Sequence, residues 1–231
     1  HPDGASTRVS YGLMNLTHLE GHDKVVYLEE GKTYKAKVQL DVCGHNFPKG
    51  HRIRLSIANS FWPMIWPSPE LATLKLDLST AKFALPMFSG KDAEGPNMEA
   101  RCAPLTPMTT LSPGRVDRTI EYDLLTDSWT SITNGVGGVF GEGIYRFDDI
   151  GTVVEHNLKR ELTNKDPLSA KYTITQKMKN GRDGWLTDCD IVVTQTADKD
   201  NFYITGHMDA SINDEHVFHR DYDYKVKRNG I

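Results

Sequence analysis

Period-two alternation of apolar and polar residues dominates this chain. In "TYKAKVQLDV", Tyr34, Ala36, Val38, Leu40 and Val42 fall on one side, and Lys35, Lys37, Gln39 and Asp41 on the other. Successive strand side chains point to opposite faces, so the run predicts a half-buried strand. "HRIRLSI" repeats the pattern, with Ile53, Leu55 and Ile57 against Arg52, Arg54 and Ser56. "TLKLDL" does so with Leu74, Leu76 and Leu78. "STRVSYGLMNL", near the start, is apolar on both sides, as a strand between two layers would be.

Beyond Gly114 the alternation resumes. Ile120, Tyr122 and Leu124 share a face in "TIEYDLL". So do Val154, His156, Leu158 and Leu162 in "VEHNLKREL", interrupted by Arg160. In "SAKYTITQKMK" the set is Ala170, Tyr172, Ile174 and Met178. "NFYITGHMDASI" and "HVFHRDYDYKVK" follow, the latter with Phe218, Tyr222, Tyr224 and Val226 together. Turn sequences "TNKDP", "KNGRDG", "TADKDN" and "INDE" punctuate these runs, which predicts a meandering antiparallel sheet. No segment of ten residues carries a 3.6-residue period, so any helix should be short.

Between the two regions, "SGKDAEGPNMEARCAPLTPMTTLSPG" is rich in Gly, Pro, Ser and Thr and has no period. Structureless loops of this length are uncommon inside a domain, so it reads as a linker. The expected division is a β unit over 1–88, a linker over 89–115 and an antiparallel β-sheet domain over 116–231. The chain opens on His1 rather than Met, and reads as a fragment of a longer protein.

Composition narrows the function classes. A net charge of −4, with Lys and Arg dispersed, lacks the basic footprint of a nucleic-acid binder. No apolar run is long enough to cross a bilayer, and no signal peptide is visible. Cys43, Cys102 and Cys189 are odd in number and far apart, so they predict buried free thiols in a reducing, cytoplasmic setting.

Candidate chemistry is sparse. No G-x-S-x-G elbow is present, so no α/β-hydrolase nucleophile is expected. His18 and His22 in "HLEGH" lie in a loop with no third ligand in sequence. His216 and His219 in "HVFH" should point to opposite faces of a strand, a poor chelate. "NGVGGVFGEG", from Asn134 to Gly143, is glycine-rich but leads into a strand, not into a helix N-terminus that could hold phosphate. No catalytic, metal or cofactor residue is assigned, and no cofactor is expected. The remaining feature is "FWPMIWPSPE". Its prolines must end the preceding strand near Phe61, which leaves Trp62 and Trp66 on a stiff corner. Exposed, they would suit sugar stacking or a protein interface; buried, they would plug the end of a sandwich.

Several of these motifs recur together in one order. "PDGASTRVSYGLMNLTH", "LEEGKTYKAKVQLDVCGHNFPKGHRIRLSIANSFWPMIWPSPE" and "LKLDLSTAKFALP" resemble the C-terminal β domain of the X-Pro dipeptidyl-peptidase and cocaine-esterase-like serine hydrolases. The similarity covers about residues 2–87; the rest resembles, more loosely, an additional C-terminal β region of longer members. The resemblance implies an all-β chain: a jelly-roll, galactose-binding-like sandwich, N-terminally truncated, then a second antiparallel sheet. It implies an α/β-hydrolase catalytic domain as partner, with the Ser-Asp-His triad upstream of this chain, so His51 is not promoted to a triad histidine. Trp62, Trp66 and His51 are the candidate interface or cleft-facing residues. A truncated sandwich should expose apolar surface or self-associate. Two rivals stand beside this reading: a carbohydrate-binding module built on Trp62 and Trp66, and an independent enzyme with an unrecognised site.

Overall fold

The computed structural model describes residues 1–88, 90, 102–104, 108–136, 144–147 and 150–230. Among the described residues the chain is β-rich, with one antiparallel sheet of nine strands. They are β1 (Thr109–Ser112), β2 (Arg115–Asp123), β3 (Ser128–Val136), β4 (Ile144–Phe147), β5 (Ile150–Thr163), β6 (Asp166–Arg182), β7 (Trp185–Ala197), β8 (Asn201–Ile212) and β9 (Glu215–Lys227). β5 to β9 pair in sequence order; the β2–β3 hairpin and the β4–β1 pair both join the free side of β5. This is the expected meander. Its hairpins carry the residues their geometry needs. Asn213 and Asp214 both have positive φ (51° and 65°), as a two-residue turn between β8 and β9 requires.

Register gives the sheet two unlike faces. One row runs Leu158, Ile174, Val193, Gly206 and Tyr222 across β5 to β9. A neighbouring row on that face holds Ile191 and Met208, and the next Ile204 and Tyr224. Arg160 lies among them with its guanidinium 4.9 Å over the Tyr172 ring, so its charge is not bare. The opposite face is polar: one row runs Glu155, Lys177, Asp190, Asp209 and His219. The face assignments read from alternation in the second half therefore hold. Gly206 is required where it stands, because a Cβ there would lie 2.5 Å from the Val192 carbonyl oxygen.

The first 88 residues differ from expectation. Apart from a 3-10 turn at Leu16–His18 they form no helix and no strand. The segments expected as sandwich strands run without ladders, and Ile53, Leu55 and Ile57, expected in a core, are 53%, 53% and 56% exposed. Leu74, Leu76 and Leu78 are exposed too. Alternation marks which side chains want burial, but a strand also needs a backbone neighbour within hydrogen-bonding reach. Only fragments of such pairing form here. The Asp41 N–H donates to the Tyr11 carbonyl at 2.8 Å, and the Val26 N–H to the Thr17 carbonyl at 2.8 Å. The β-rich character is shown; a jelly-roll topology is not shown by these ladders. Of the expected linker, residues 89, 91–101 and 105–107 lie outside the described residues, while Thr109–Ser112 are β1.

The buried residues are few. Ala170 is the buried apolar side chain of the sheet, and Pro67, Gly135 and Arg228 are buried beside it among the described residues. The chain exposes 18719 Å². A folded monomer of this mass exposes about 10,500 Å². Exposed large apolar side chains on the first segment and on one face of the sheet contribute to that excess.

Candidate functional site

The two halves of the chain meet where the proline corner reaches the sheet. Phe61 opens a turn: its carbonyl accepts from the Met64 and Ile65 N–H groups at 2.9 and 3.0 Å. That turn brings Trp62 against Trp66, ring centroids 5.3 Å apart and planes at 89°. Trp66 in turn stands edge-on to Phe202 of β8, at 5.7 Å and 87°. Edge-to-face is the favourable arrangement for the aromatic quadrupole. Phe202 lies at the end of the apolar face, paired with Val226.

Arg228 locks this seam. It is 2% exposed. Its guanidinium donates to the Pro67 carbonyl at 2.5 Å and to the Asp198 carbonyl at 3.0 Å, and lies 5.0 Å over the Phe202 ring. Burial pulls its pKa down, against the opposing pull of Asp198. At the rim, Lys199 pairs with Glu70 at 3.1 Å. The Gly230 carbonyl accepts from Asn15 and Thr17, each at 2.7 Å, tying the end of the described chain to its start. Asp198 fixes the β7–β8 turn beneath. Its carboxylate accepts from the Tyr203 hydroxyl and the Asp200 and Asn201 N–H groups, and is held at a pKa of about 2.

Both tryptophans are therefore seam residues, half-buried and perpendicular. A sugar platform needs two exposed, roughly coplanar rings, and these form none. His51 lies elsewhere. Its Nε2 is 3.1 Å from Nδ1 of His1, and the two rings meet edge to face at 4.6 Å. Sequence reading grouped His51 with the tryptophans because they are close in the chain; the structure pairs it with the chain start.

A second cluster was not foreseen. His216 Nε2 and His219 Nδ1 both reach Asp209 Oδ1, at 3.1 and 2.8 Å, and His219 Nε2 lies 3.3 Å from Asp221. Three residues apart on a regular strand, these histidines would oppose each other, which was the expectation. The correction comes from a bulge. Ala210 pairs with Phe218 but Ser211 pairs with His216, so Val217 is the extra residue and the phase flips. Both imidazoles then share the polar face. Hydrogen bonds donated to Asp209, then to Asp221, raise the His219 pKa, while those accepted from His219 and His216 lower that of Asp209. Next to them, Thr175, Lys177, Asp190, Val192, His207 and Asp209 border a shallow concavity of about 350 Å³. His216 and His219 are held by carboxylates, which clasps β9 to β8 on the polar face.

Among the described residues no group of three His, Cys, Asp or Glu side chains has metal-holding geometry. His18 and His22 face each other, Nδ1 to Nδ1, at 3.1 Å. The three thiols are free, but not uniformly buried as expected. Cys43 and Cys102 are exposed because no second layer covers their segments; Cys189 is half-buried, and burial raises its pKa. The glycine-rich run from Asn134 continues β3 to Val136; residues 137–143 lie outside the described residues.

With this geometry in place, comparison with known proteins is decisive for the first segment. Residues 1–102 match the family model of the X-Pro dipeptidyl-peptidase C-terminal non-catalytic domain. That is the resemblance carried by the PDG turn, the "FPKGHRIRL" run and the Trp-Pro corner. A Streptomyces avermitilis protein named as an Xaa-Pro dipeptidyl-peptidase is 33% identical over 87 residues, which cover 38% of this chain and 13% of that relative. The chain thus spans a small part of the length of the curated relative it matches. No solved structure matches the chain. The nine-stranded sheet lies beyond the matched residues, and the seam joins it to the most distinctive stretch within them.

Proposed function

We propose that this chain is the non-catalytic C-terminal β region of an α/β-hydrolase-type serine hydrolase. The parent would be an X-Pro dipeptidyl-peptidase or an acyl ester or amide hydrolase. The observation that carries this reading is the matched domain at residues 1–102. The open apolar surface supports it. Segments 51–57 and 73–78 keep the alternation of buried strands while their apolar residues stand exposed. A catalytic domain seated on them would cover that surface, at about 25 cal/mol per Å² removed from water. The tryptophan corner then has a structural role. It couples the segment that faces the catalytic domain to a rigid sheet, and so forms part of a wall around the cleft. The setting proposed for the whole is reducing and cytoplasmic.

The test has two arms. The 231-residue chain alone should neither hydrolyse X-Pro-nitroanilides or nitrophenyl esters nor react with a fluorophosphonate probe. The cellular polypeptide that carries these residues, captured with an antibody raised against the sheet, should do both. Probe labelling of the isolated chain, or an unreactive full-length polypeptide, would remove the proposal.

A further inference from the structure

The outer edge of β9 is written to pair with itself. β9 is the last strand of the sheet and, among the described residues, has no ladder partner beyond β8. It is also long, 13 residues, and nearly all of it is exposed. Natural sheets blunt such edges, because a row of unpaired N–H and C=O groups invites another chain.

The hydrogen-bond phase says which groups face out. Asn201 pairs with Lys227, and the Arg228 N–H donates to the Asp200 carbonyl at 2.8 Å. In an antiparallel ladder that makes Asn201–Lys227 a non-hydrogen-bonded pair and Phe202–Val226 a hydrogen-bonded one. Backbone groups of Tyr222, Tyr224 and Val226 therefore point at β8. Those of Asp221, Asp223, Lys225 and Lys227 point away from the sheet.

The same four residues place their side chains on the polar face, in the order acid, acid, base, base, around Tyr224. That order is self-complementary. With a two-fold axis through Tyr224, Asp223 opposes Lys225 of a second copy and Asp221 opposes Lys227, twice over. Each is an outward-facing pair able to exchange two N–H···O bonds. On the apolar face the same axis sets Tyr224, 52% exposed, against its symmetry mate and Tyr222 against Val226. Moving the axis to Asp223 or to Lys225 puts like charges directly opposite at the centre, which disfavours those registers.

We infer that β9 is a homodimerisation edge: two copies of this chain pair antiparallel over residues 221–227 and join their sheets into one. The interface is isologous and closed, so it ends at two copies rather than growing into fibres. The inference goes beyond the proposed parent activity and does not depend on it.

Charge exchange tests it. Sedimentation velocity of the 231-residue chain at tens of micromolar should give twice its 26.0 kDa mass. Lys225→Glu with Lys227→Glu makes the edge wholly acidic; Asp221→Lys with Asp223→Lys makes it wholly basic. Each double variant alone should be monomeric, its dissociation constant raised roughly 100-fold or more by like-charge contacts. An equimolar mixture of the two should return to a dimer, with circular dichroism confirming an intact sheet in each. Without any variant, the Asp223 and Lys225 amides of the wild type should be protected from exchange, and lose that protection on dilution. A monomeric wild type at about 100 µM, far above the affinity of a specific dimer, overturns the inference. So does undiminished dimerisation of either variant, or Asp223 and Lys225 amides that exchange freely in the dimer.

Discussion

Replacing Arg228 by alanine should loosen the seam between the matched segment and the sheet while leaving the sheet formed. The guanidinium donates to two carbonyls, Pro67 and Asp198, and covers the Phe202 ring. Hydrogen bonds from a charged donor contribute about 1.5–3 kcal/mol each, so about 3–6 kcal/mol of interaction is removed. Against this, the variant no longer holds a guanidinium out of water, which returns part of that sum. Pro67 is buried, so its carbonyl loses its partner without gaining free access to solvent. The balance is a loss of about 2–3 kcal/mol, within the range of buried-network mutations. For a chain of this size that lowers the midpoint of the seam's own thermal transition, followed by tryptophan fluorescence, by about 5–10 °C.

Guanidinium unfolding followed by tryptophan fluorescence reads this directly, since Trp62 and Trp66 sit at the seam. Far-UV circular dichroism should show the sheet intact at low denaturant. Two controls separate causes. Arg228→Met keeps the aliphatic stem and its contact with Phe202, so its loss measures the donated bonds. Arg228→Lys keeps the charge but offers a point donor to two acceptors set for a planar fork, and should fall between wild type and alanine. If alanine and methionine variants both lie within about 0.5 kcal/mol of wild type, the size expected of an ordinary surface substitution, Arg228 does not hold the seam.

Other sites give equally definite outcomes. Trp66→Ala should cost about 2–3 kcal/mol, from roughly 100 Å² of half-buried indole lost against Phe202 and Trp62, seen as a lower denaturation midpoint. Gly206→Ala should cost at least about 1–3 kcal/mol by overpacking, because its Cβ would press on the Val192 carbonyl, and β7–β8 amides should exchange faster. In an NMR titration His219 should titrate above its ordinary 6.5, because Asp209 and Asp221 accept from it, and Asp209→Asn should bring the midpoint back. A histidine pKa raised on folding gives stability that is complete below 6.5 and fades as pH rises through the folded value. Asp209, lowered on folding, fades in the other direction, as pH falls through its own folded value. The β8–β9 clasp should thus hold best on the mildly acid side of neutrality; protection of β9 amides that grows steadily into alkali would contradict this.

Alternation was a sound guide wherever a neighbouring strand was close in sequence. β5, β6 and β9 carry their apolar residues on the side that period two assigns. Turns bracket β7, but alternation assigns it no face, because Ile191, Val192 and Val193 are apolar on both faces. β3 was missed because "SWTSITNGV" offers few apolar residues to alternate. The histidine cluster was illegible for a different reason. Its assembly depends on one extra residue, Val217, and a bulge is a property of two paired strands, not of one sequence run. His51 shows the same limit: its contact is 50 residues away.

The tryptophan corner carries the argument furthest. A corner that only plugged its own sandwich would bury its rings among residues 1–88. Trp66 instead reaches Phe202, and the Pro67 carbonyl reaches Arg228, more than 130 residues on. The seam therefore couples whatever sits on the first segment to whatever sits on the sheet. If a catalytic domain covers the former and a second copy pairs along β9, the corner is the mechanical link between them. Such coupling has a consequence that neither contact has alone. Arg228→Ala, which leaves β9 up to Lys227 untouched, should leave edge pairing intact, yet it should let the two halves unfold in separate transitions. A calorimetric trace that stays a single peak in that variant would mean that the sheet and the first segment are held together by something other than this seam.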